Sequence, residues 1–269
     1  MISIPENVPN PGPGAVRARR PFPQWGQIGL STSQGIAHYN ALQVTGEKRL
    51  SNGVYTLLSY TFSKCTDNGS SESGPTTISL LAQNYGVCSY DITNNFTVSS
   101  IYELPFGKGR EFLTNASWPV EAALGGWELA GIFMDRTGLP FTPIIGSDVA
   151  NTGISGEWPN RVGSGKLANP SALKWFDTTA FTIPAQYTYG DSRRDIPRSD
   201  GLVDLDATVK KNFNFTEARI LEVRFESFNL ANHPTFAAPN ATIGTSSAGR
   251  VTSTLNSNRI FQAAVKLFF

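Results

Sequence analysis

The sequence predicts an all-β fold, an antiparallel up-and-down meander of about seven long strands. Three observations carry this. First, apolar and polar residues alternate with a period of two over runs of about ten residues. The alternation is cleanest where Val203, Leu205, Ala207 and Val209 interleave with Asp204, Asp206, Thr208 and Lys210. Second, the composition suits strands and loops: 25 Gly, 17 Pro, 11% aromatic and only 2 Met, with 16% charged residues against the usual ~25%. Third, brief connections and very long ones alternate along the chain, as they do when a meander carries all its long loops at one end.

Residues 1–37 are rich in Pro, Gly and Ser and read as a loop or extended arm. The first strand is expected from His38 to Leu50 and the second from Val54 to Lys64, joined at the hairpin signal Ser51-Asn-Gly53. A polar loop then fills 65–89, including Asp67–Pro75 and ending near Cys88. The third strand is expected from Tyr90 to Leu104, with Phe96, Val98 and Tyr102 in register, and Pro105–Gly109 breaks it. After a moderate connection, Trp127 to Thr137 form the fourth.

Residues 138–200 are the longest irregular stretch, and loops of that length are uncommon unless functional. The fifth strand follows, then a short turn at Asn214–Glu217. The sixth sets Leu221, Val223 and Phe225 against Glu222, Arg224 and Glu226. Another loop spans 231–257, with a short strand expected at Arg250–Thr254. The seventh occupies the C-terminus, where Phe261, Ala263, Val265, Leu267 and Phe269 share one face. A chain ending inside a strand must have that strand tied into a sheet, because free termini fray.

Composition excludes several classes. A net charge of +1 implies no nucleic-acid surface and no polybasic patch. No run approaches the ~18 apolar residues of a membrane-crossing helix. The N-terminal residues lack the basic and apolar regions of a signal peptide. The two histidines, His38 and His233, are far apart, and no nucleophile motif, phosphate loop or dinucleotide fingerprint occurs. The expectation is therefore a protein with no catalytic residue, no metal site and no cofactor, and not an enzyme. Cys65 and Cys88 flank the polar loop and read either as free thiols or as a disulfide closing it.

Alternation alone also fits a soluble β-sandwich. Three features favour strands in a membrane instead. The strands exceed the usual ~5–6 residues and match the ~9–11 of a barrel span. One face carries full charges in series. Aromatics (Tyr39, Tyr60, Tyr102, Phe106, Trp127, Phe133) fall near expected strand ends, as an interfacial girdle requires. On this reading Val203, Leu205, Val209, Leu221, Val223, Phe225, Val265 and Leu267 face lipid. Asp204, Asp206, Lys210, Glu222, Arg224 and Glu226 line a lumen.

A set of collinear segments extends that reading. Arg20-Pro-Phe-Pro-Gln-Trp-Gly26, Tyr39-Asn-Ala-Leu-Gln43, Glu47-Lys-Arg49, Ser59-Tyr-Thr-Phe-Ser-Lys64, Tyr102-Glu-Leu-Pro-Phe-Gly-Lys-Gly109, Gly125-Gly-Trp-Glu-Leu-Ala-Gly131, Gly138-Leu-Pro-Phe-Thr142 and Glu226-Ser-Phe-Asn-Leu-Ala-Asn-His-Pro234 span most of the chain. They resemble the C-terminal barrel of TonB-dependent outer-membrane receptors, in the Oar-like branch with a carboxypeptidase-regulatory-like domain. The resemblance implies uptake of a scarce, bulky ligand such as a siderophore, oligosaccharide or peptide. It also implies a signal peptide, a plug, a TonB box and a barrel of about 22 strands.

With seven strands and none of the other parts, the chain is expected to be a segment: 1–37 an extracellular loop or arm, 38–269 the C-terminal part of a transmembrane barrel. It should not transport alone, because the plug through which TonB acts is missing. Its expected partners are outer-membrane lipid, the barrel-assembly machinery, with Phe269 as the C-terminal insertion signal, and an unidentified ligand. The alternative functions are a surface adhesion or binding β-barrel without transport, and a soluble β-sandwich binding module.

Overall fold

Asn52 and Gly53, both with positive φ (52° and 76°), form the two-residue turn that folds the first two long strands onto each other. A Cβ on Gly53 would lie 2.5 Å from the Glu103 carbonyl oxygen of the third strand, so this turn admits only glycine. The computed structural model describes residues 2–70, 78–216 and 219–269. Its main sheet has seven long strands: β1 (Ala37–Ser51), β2 (Val54–Asp67), β3 (Asn94–Glu103), β4 (Trp127–Arg136), β5 (Leu202–Asn214), β6 (Ile220–Phe228) and β7 (Ile260–Phe268). Each pairs antiparallel with its sequence neighbours, and a two-residue strand, Gly86–Val87, adds to the end of β2. The sheet is an open meander.

The register sorts side chains onto two unlike faces. One cross-strand row runs Val54, Tyr102, Leu129, Val209, Phe225, Ala263, and another runs Gly46, Leu58, Val98, Phe133, Leu205. On the opposite face a row runs Glu103, Glu128, Lys210, Arg224. Among the described residues no second layer covers the middle of the apolar face. Leu42, Phe62, Phe225 and Phe261 are half or more exposed, and Val265 is 70% exposed. A soluble sandwich would cover these positions.

Buried apolar residues lie instead in the loops. Ile145, Phe176, Ala180, Phe181 and Ile243 form one cluster, with Phe141, Val149 and Trp175 packed against it. The Phe141 and Phe181 rings both meet Phe176 edge-on, at 5.3 and 6.0 Å. A short parallel pair, Ile144–Ile145 with Thr242–Ile243, ties the β4–β5 loop to the β6–β7 loop. The N-terminal residues join the same body. Ile2–Glu6 pairs with Ile28–Thr32, and Asn151 Nδ2 donates to the Gly12 and Gly14 carbonyls at 2.8 Å. All these loops leave the same end of the meander, so they form a folded cap over one rim.

Several expectations are corrected. Residues 1–37 are no simple arm; they contain a strand pair and a helical turn, Val16–Arg19. Residues 138–200 are irregular in outline, yet they carry most of the cap's core. β3 starts at Asn94 and not at Tyr90, because Asp91 is engaged elsewhere: its Oδ1 accepts the Cys65 N–H at 2.6 Å. No strand forms at 250–254 among the described residues; only a single bridge joins Thr254 to Phe236. Tyr39 pairs with Cys65 and so lies on the polar face, outside any girdle. The 104–126 connection contains an unforeseen helix, α1 (Trp118–Leu124). The polar stretch expected at Asp67–Pro75 and the turn expected at Asn214–Glu217 run partly through 71–77 and 217–218, outside the described residues.

Candidate functional site

The polar face and the rim above it bring together the chain's ionisable groups. Lys210 Nζ meets Glu128 Oε2 at 2.8 Å across β4 and β5. Arg224 bridges its own-strand neighbours Glu222 (3.0 Å) and Glu226 (3.3 Å), and Lys266 stands opposite Glu222. Asp206 Oδ1 accepts the Asn229 N–H at 2.9 Å, fixing where the β6–β7 loop departs. All six residues expected on the polar side lie there: Asp204, Asp206, Lys210, Glu222, Arg224 and Glu226. Val203, Leu205, Val209, Leu221, Val223, Phe225, Val265 and Leu267 lie opposite. Phe269 follows the last strand and is 95% exposed.

Two arginines in the β4–β5 loop clamp the cap to the sheet. Arg194, wholly buried, lies between the carboxylates of Asp67 and Asp195, the latter at 3.2 Å, and also donates to the Ser70 hydroxyl at 2.9 Å. A buried charge is tolerated only when paired and hydrogen-bonded like this. Burial pushes the Asp195 carboxyl up, and the Arg194 guanidinium opposes that shift. Arg198 meets Asp91 at 2.5 Å and donates to the Gly138 carbonyl at 3.0 Å. Below both clamps, a disulfide joins Cys65 on β2 to Cys88.

Two clefts open among these elements. The larger, 390 Å³, lies within the cap between Trp175, Phe176, Leu167 and Arg198. The other, 330 Å³, lies where the polar face meets the cap, and Arg136, Asp204, Thr235, Leu139, Leu255 and Asn256 line it. Both volumes fall within the ~300–1,000 Å³ of small-molecule sites. The second cleft is chemically incomplete. Among the described residues Asp204 Oδ1 and Thr235 Oγ1 are buried without a hydrogen-bond partner, and Thr235 is 1% exposed. Arg136, opposite Leu202 and therefore diagonal to Asp204, forms no salt bridge among the described residues. The two bare buried acceptors are costly in a closed protein, and with the exposed Arg136 guanidinium in the same cleft they suit a site that takes a polar ligand.

A third buried group sits deeper in the cap. Glu157, 1% exposed, accepts the Val149 and Ala150 N–H groups through Oε2 at 3.0 and 3.2 Å. Burial pushes its carboxyl up to about 7, with the neighbouring Asp148 adding to the shift against those two N–H donors. Among the described residues no three His, Cys, Asp or Glu side chains gather to hold a metal ion. His38 lies beside Tyr85, with ring centroids 6.4 Å apart, and His233 is held by Asn229, whose Oδ1 accepts the His233 N–H at 3.0 Å.

Arg136, Arg194, Arg198, Glu157 and Thr235 escape sequence reading. Ser192-Arg-Arg-Asp195 is a dense charge run in a charge-poor chain, and that was the available signal. Its partner Asp67 lies 127 residues away, so spacing says nothing of it.

An open antiparallel meander with one apolar and one charged face, capped at a single rim, defines a β-barrel wall. A family model for the outer membrane beta barrel domain matches residues 2–262, and the chain belongs to that family. It is accordingly a protein of the outer membrane. Neither the curated proteins nor the solved structures contain a match to the chain. No helix among the described residues is long and apolar enough to cross a membrane, and the spans are strands.

Proposed function

We propose that this chain is the C-terminal barrel portion of a TonB-dependent receptor of the Oar-like branch, a transporter for a bulky, scarce ligand such as a siderophore, oligosaccharide or peptide. It acts as a receptor and not as an enzyme. Its apolar face, Val203 to Leu267, meets lipid, and its charged face lines the lumen. The free edges of β1 and β7 are where further strands close the barrel, since an open edge in lipid leaves unsatisfied backbone groups at several kcal/mol each. TonB acts through a plug, and nucleic acid is not a partner.

One observation carries the reading: the charged face leads into a cleft beneath a folded cap, where, among the described residues, Asp204 Oδ1 and Thr235 Oγ1 lack hydrogen-bond partners and Arg136 forms no salt bridge. A wall that only held the barrel shut would have no use for such atoms.

The test is uptake by the cell that makes this protein, with the gene deleted and then restored as wild type or Arg136→Ala. Accumulation of labelled siderophores, oligosaccharides and peptides is followed with and without collapse of the inner-membrane proton gradient. The proposal expects one ligand class to depend on the gene, on Arg136 and on the gradient. Gene-dependent accumulation that survives loss of the gradient overturns the TonB-dependent reading.

A further inference from the structure

The polar rim is only one end of this wall. The opposite rim, where the chain turns between β3 and β4, carries an arrangement that the lumen does not use. Lys211 and Trp127 are cross-strand partners on the apolar face, and Phe213 lies on the same face. A lysine there is out of place, yet it is 4% exposed. Its ammonium donates to the Gly125 and Glu121 carbonyls at the C-terminal end of α1 and lies over the Trp127 and Phe213 rings, 5.3 and 5.0 Å from their centroids. Trp127 Nε1 also donates to the Ala123 carbonyl at 2.9 Å. Both contacts bring the C-terminal end of α1 to the apolar side of the sheet.

The rest of the connection is amphipathic. Glu121 points inward, its Oε2 accepting the Lys108 N–H at 2.9 Å. Trp118 is 63% exposed, Leu124 51% and Phe112 49%. Lys108 is exposed and forms no salt bridge among the described residues.

From this we infer that residues 105–126 form an interfacial anchor, with α1 at the outer side of the wall, Trp118 and Leu124 at the acyl boundary and Lys108 at the lipid phosphates. The occupant is phospholipid and not a protein partner, because α1, which carries the exposed Trp118 and Leu124, is tied through Trp127 and Lys211 to the same apolar face of the sheet. Exposed tryptophan beside a free lysine is the chemistry of the headgroup level, where an amphipathic ring and a cation are both accommodated. The Glu121 and Gly125 carbonyls satisfy Lys211, which lets a cation sit on a lipid-side strand near its end, where a charge is far less costly than at the bilayer midplane. The inference rests on the apolar face meeting lipid, as proposed above.

The two claims separate in one experiment. The full-length receptor, with the further strands that close the barrel, is folded into vesicles of phosphatidylethanolamine and phosphatidylglycerol containing lipid brominated either high or low on the acyl chain. Tryptophan quenching is compared between wild type and Trp118→Phe, and the difference reports Trp118. A Phe225→Trp variant in the Trp118→Phe background reports the middle of the apolar face. The expected result is quenching of Trp118 about twofold stronger by the high label than by the low one, with the reverse for position 225, as interfacial placement requires. Quenching at position 225 with none at Trp118 overturns the anchor and leaves the lipid-facing wall intact. No quenching at either position overturns both. A nitroxide on Leu124→Cys gives an independent reading: protection from a water-soluble relaxation agent supports the anchor, and full exposure to it overturns the anchor.

Discussion

Placing an arginine on either side of a single residue step tests the assignment of faces directly. Val209 lies in the apolar row between Leu129 and Phe225, while Thr208, one residue earlier, lies on the charged face opposite Ala130 and Glu226. Val209→Arg puts a guanidinium into hydrocarbon, at ~2–4 kcal/mol near the bilayer midplane. That corresponds to a loss of roughly 30- to 700-fold in the folding equilibrium. Thr208→Arg puts the same group beside the Glu226 carboxylate, where an opposite-charge cross-strand pair contributes roughly 0.2–1 kcal/mol in favour. The neighbours are matched in sequence and strand, so the difference isolates the environment of each face. Guanidinium titration of the full-length, closed barrel folded in phospholipid vesicles, followed by tryptophan emission, measures it. Equal losses for the two variants, or a neutral Val209→Arg, would falsify the assignment of hydrocarbon to the apolar face.

The cap supplies three more expectations. Arg194→Met leaves Asp67 and Asp195 buried without their cation and should destabilise the cap locally by about 3–5 kcal/mol. Hydrogen exchange across 84–91 and 192–198 should then quicken, and unchanged protection would contradict the clamp. Glu157 has a folded-state carboxyl held near 7, above its usual 4.5, so folding favours its neutral form. The cap is therefore most stable below about pH 4.5 as far as this group is concerned, and it loses up to about 3 kcal/mol as pH rises through 4.5 to 7. Glu157→Gln should flatten that slope in pH-dependent cap proteolysis, and a slope retained in the variant would assign it to another group. Breaking the Cys65–Cys88 disulfide, which spans 23 residues, releases about 3 kcal/mol of loop-closure constraint. Dithiothreitol, or Cys65→Ser with Cys88→Ser, should speed cleavage between them without loosening the main sheet. Equal cleavage rates would show the bridge to be dispensable.

Much of the wall was legible because a strand reports its own geometry. From Val203 to Lys210 every second residue changes character, and a pleat sends every second side chain to the opposite face. The turn at Asn52 and Gly53 was equally local. The reading weakened where a residue breaks the alternation for a distant reason. Lys211 falls on the apolar face because the end of α1 brings there the Gly125 carbonyl, 86 residues earlier in the chain, which accepts a hydrogen bond from its ammonium. The cap was the least legible. Ile145 packs with Ile243 and Arg194 reaches Asp67 across stretches with no regular period, so composition marked these segments only as loops.

What the sequence alone determined is the sheet: the number of long strands, their antiparallel order and the opposition of the two faces. All of these follow from the two-residue period and from turn chemistry, which act between neighbours in the chain. What the tertiary structure decided is the rim: which loops meet, which arginines are buried, and which polar atoms remain without partners in the cleft. Many of those contacts join residues far apart in the chain, Arg194 and Asp67 by 127 positions, and the energy of burying a charge or leaving an acceptor bare depends on what surrounds it in space.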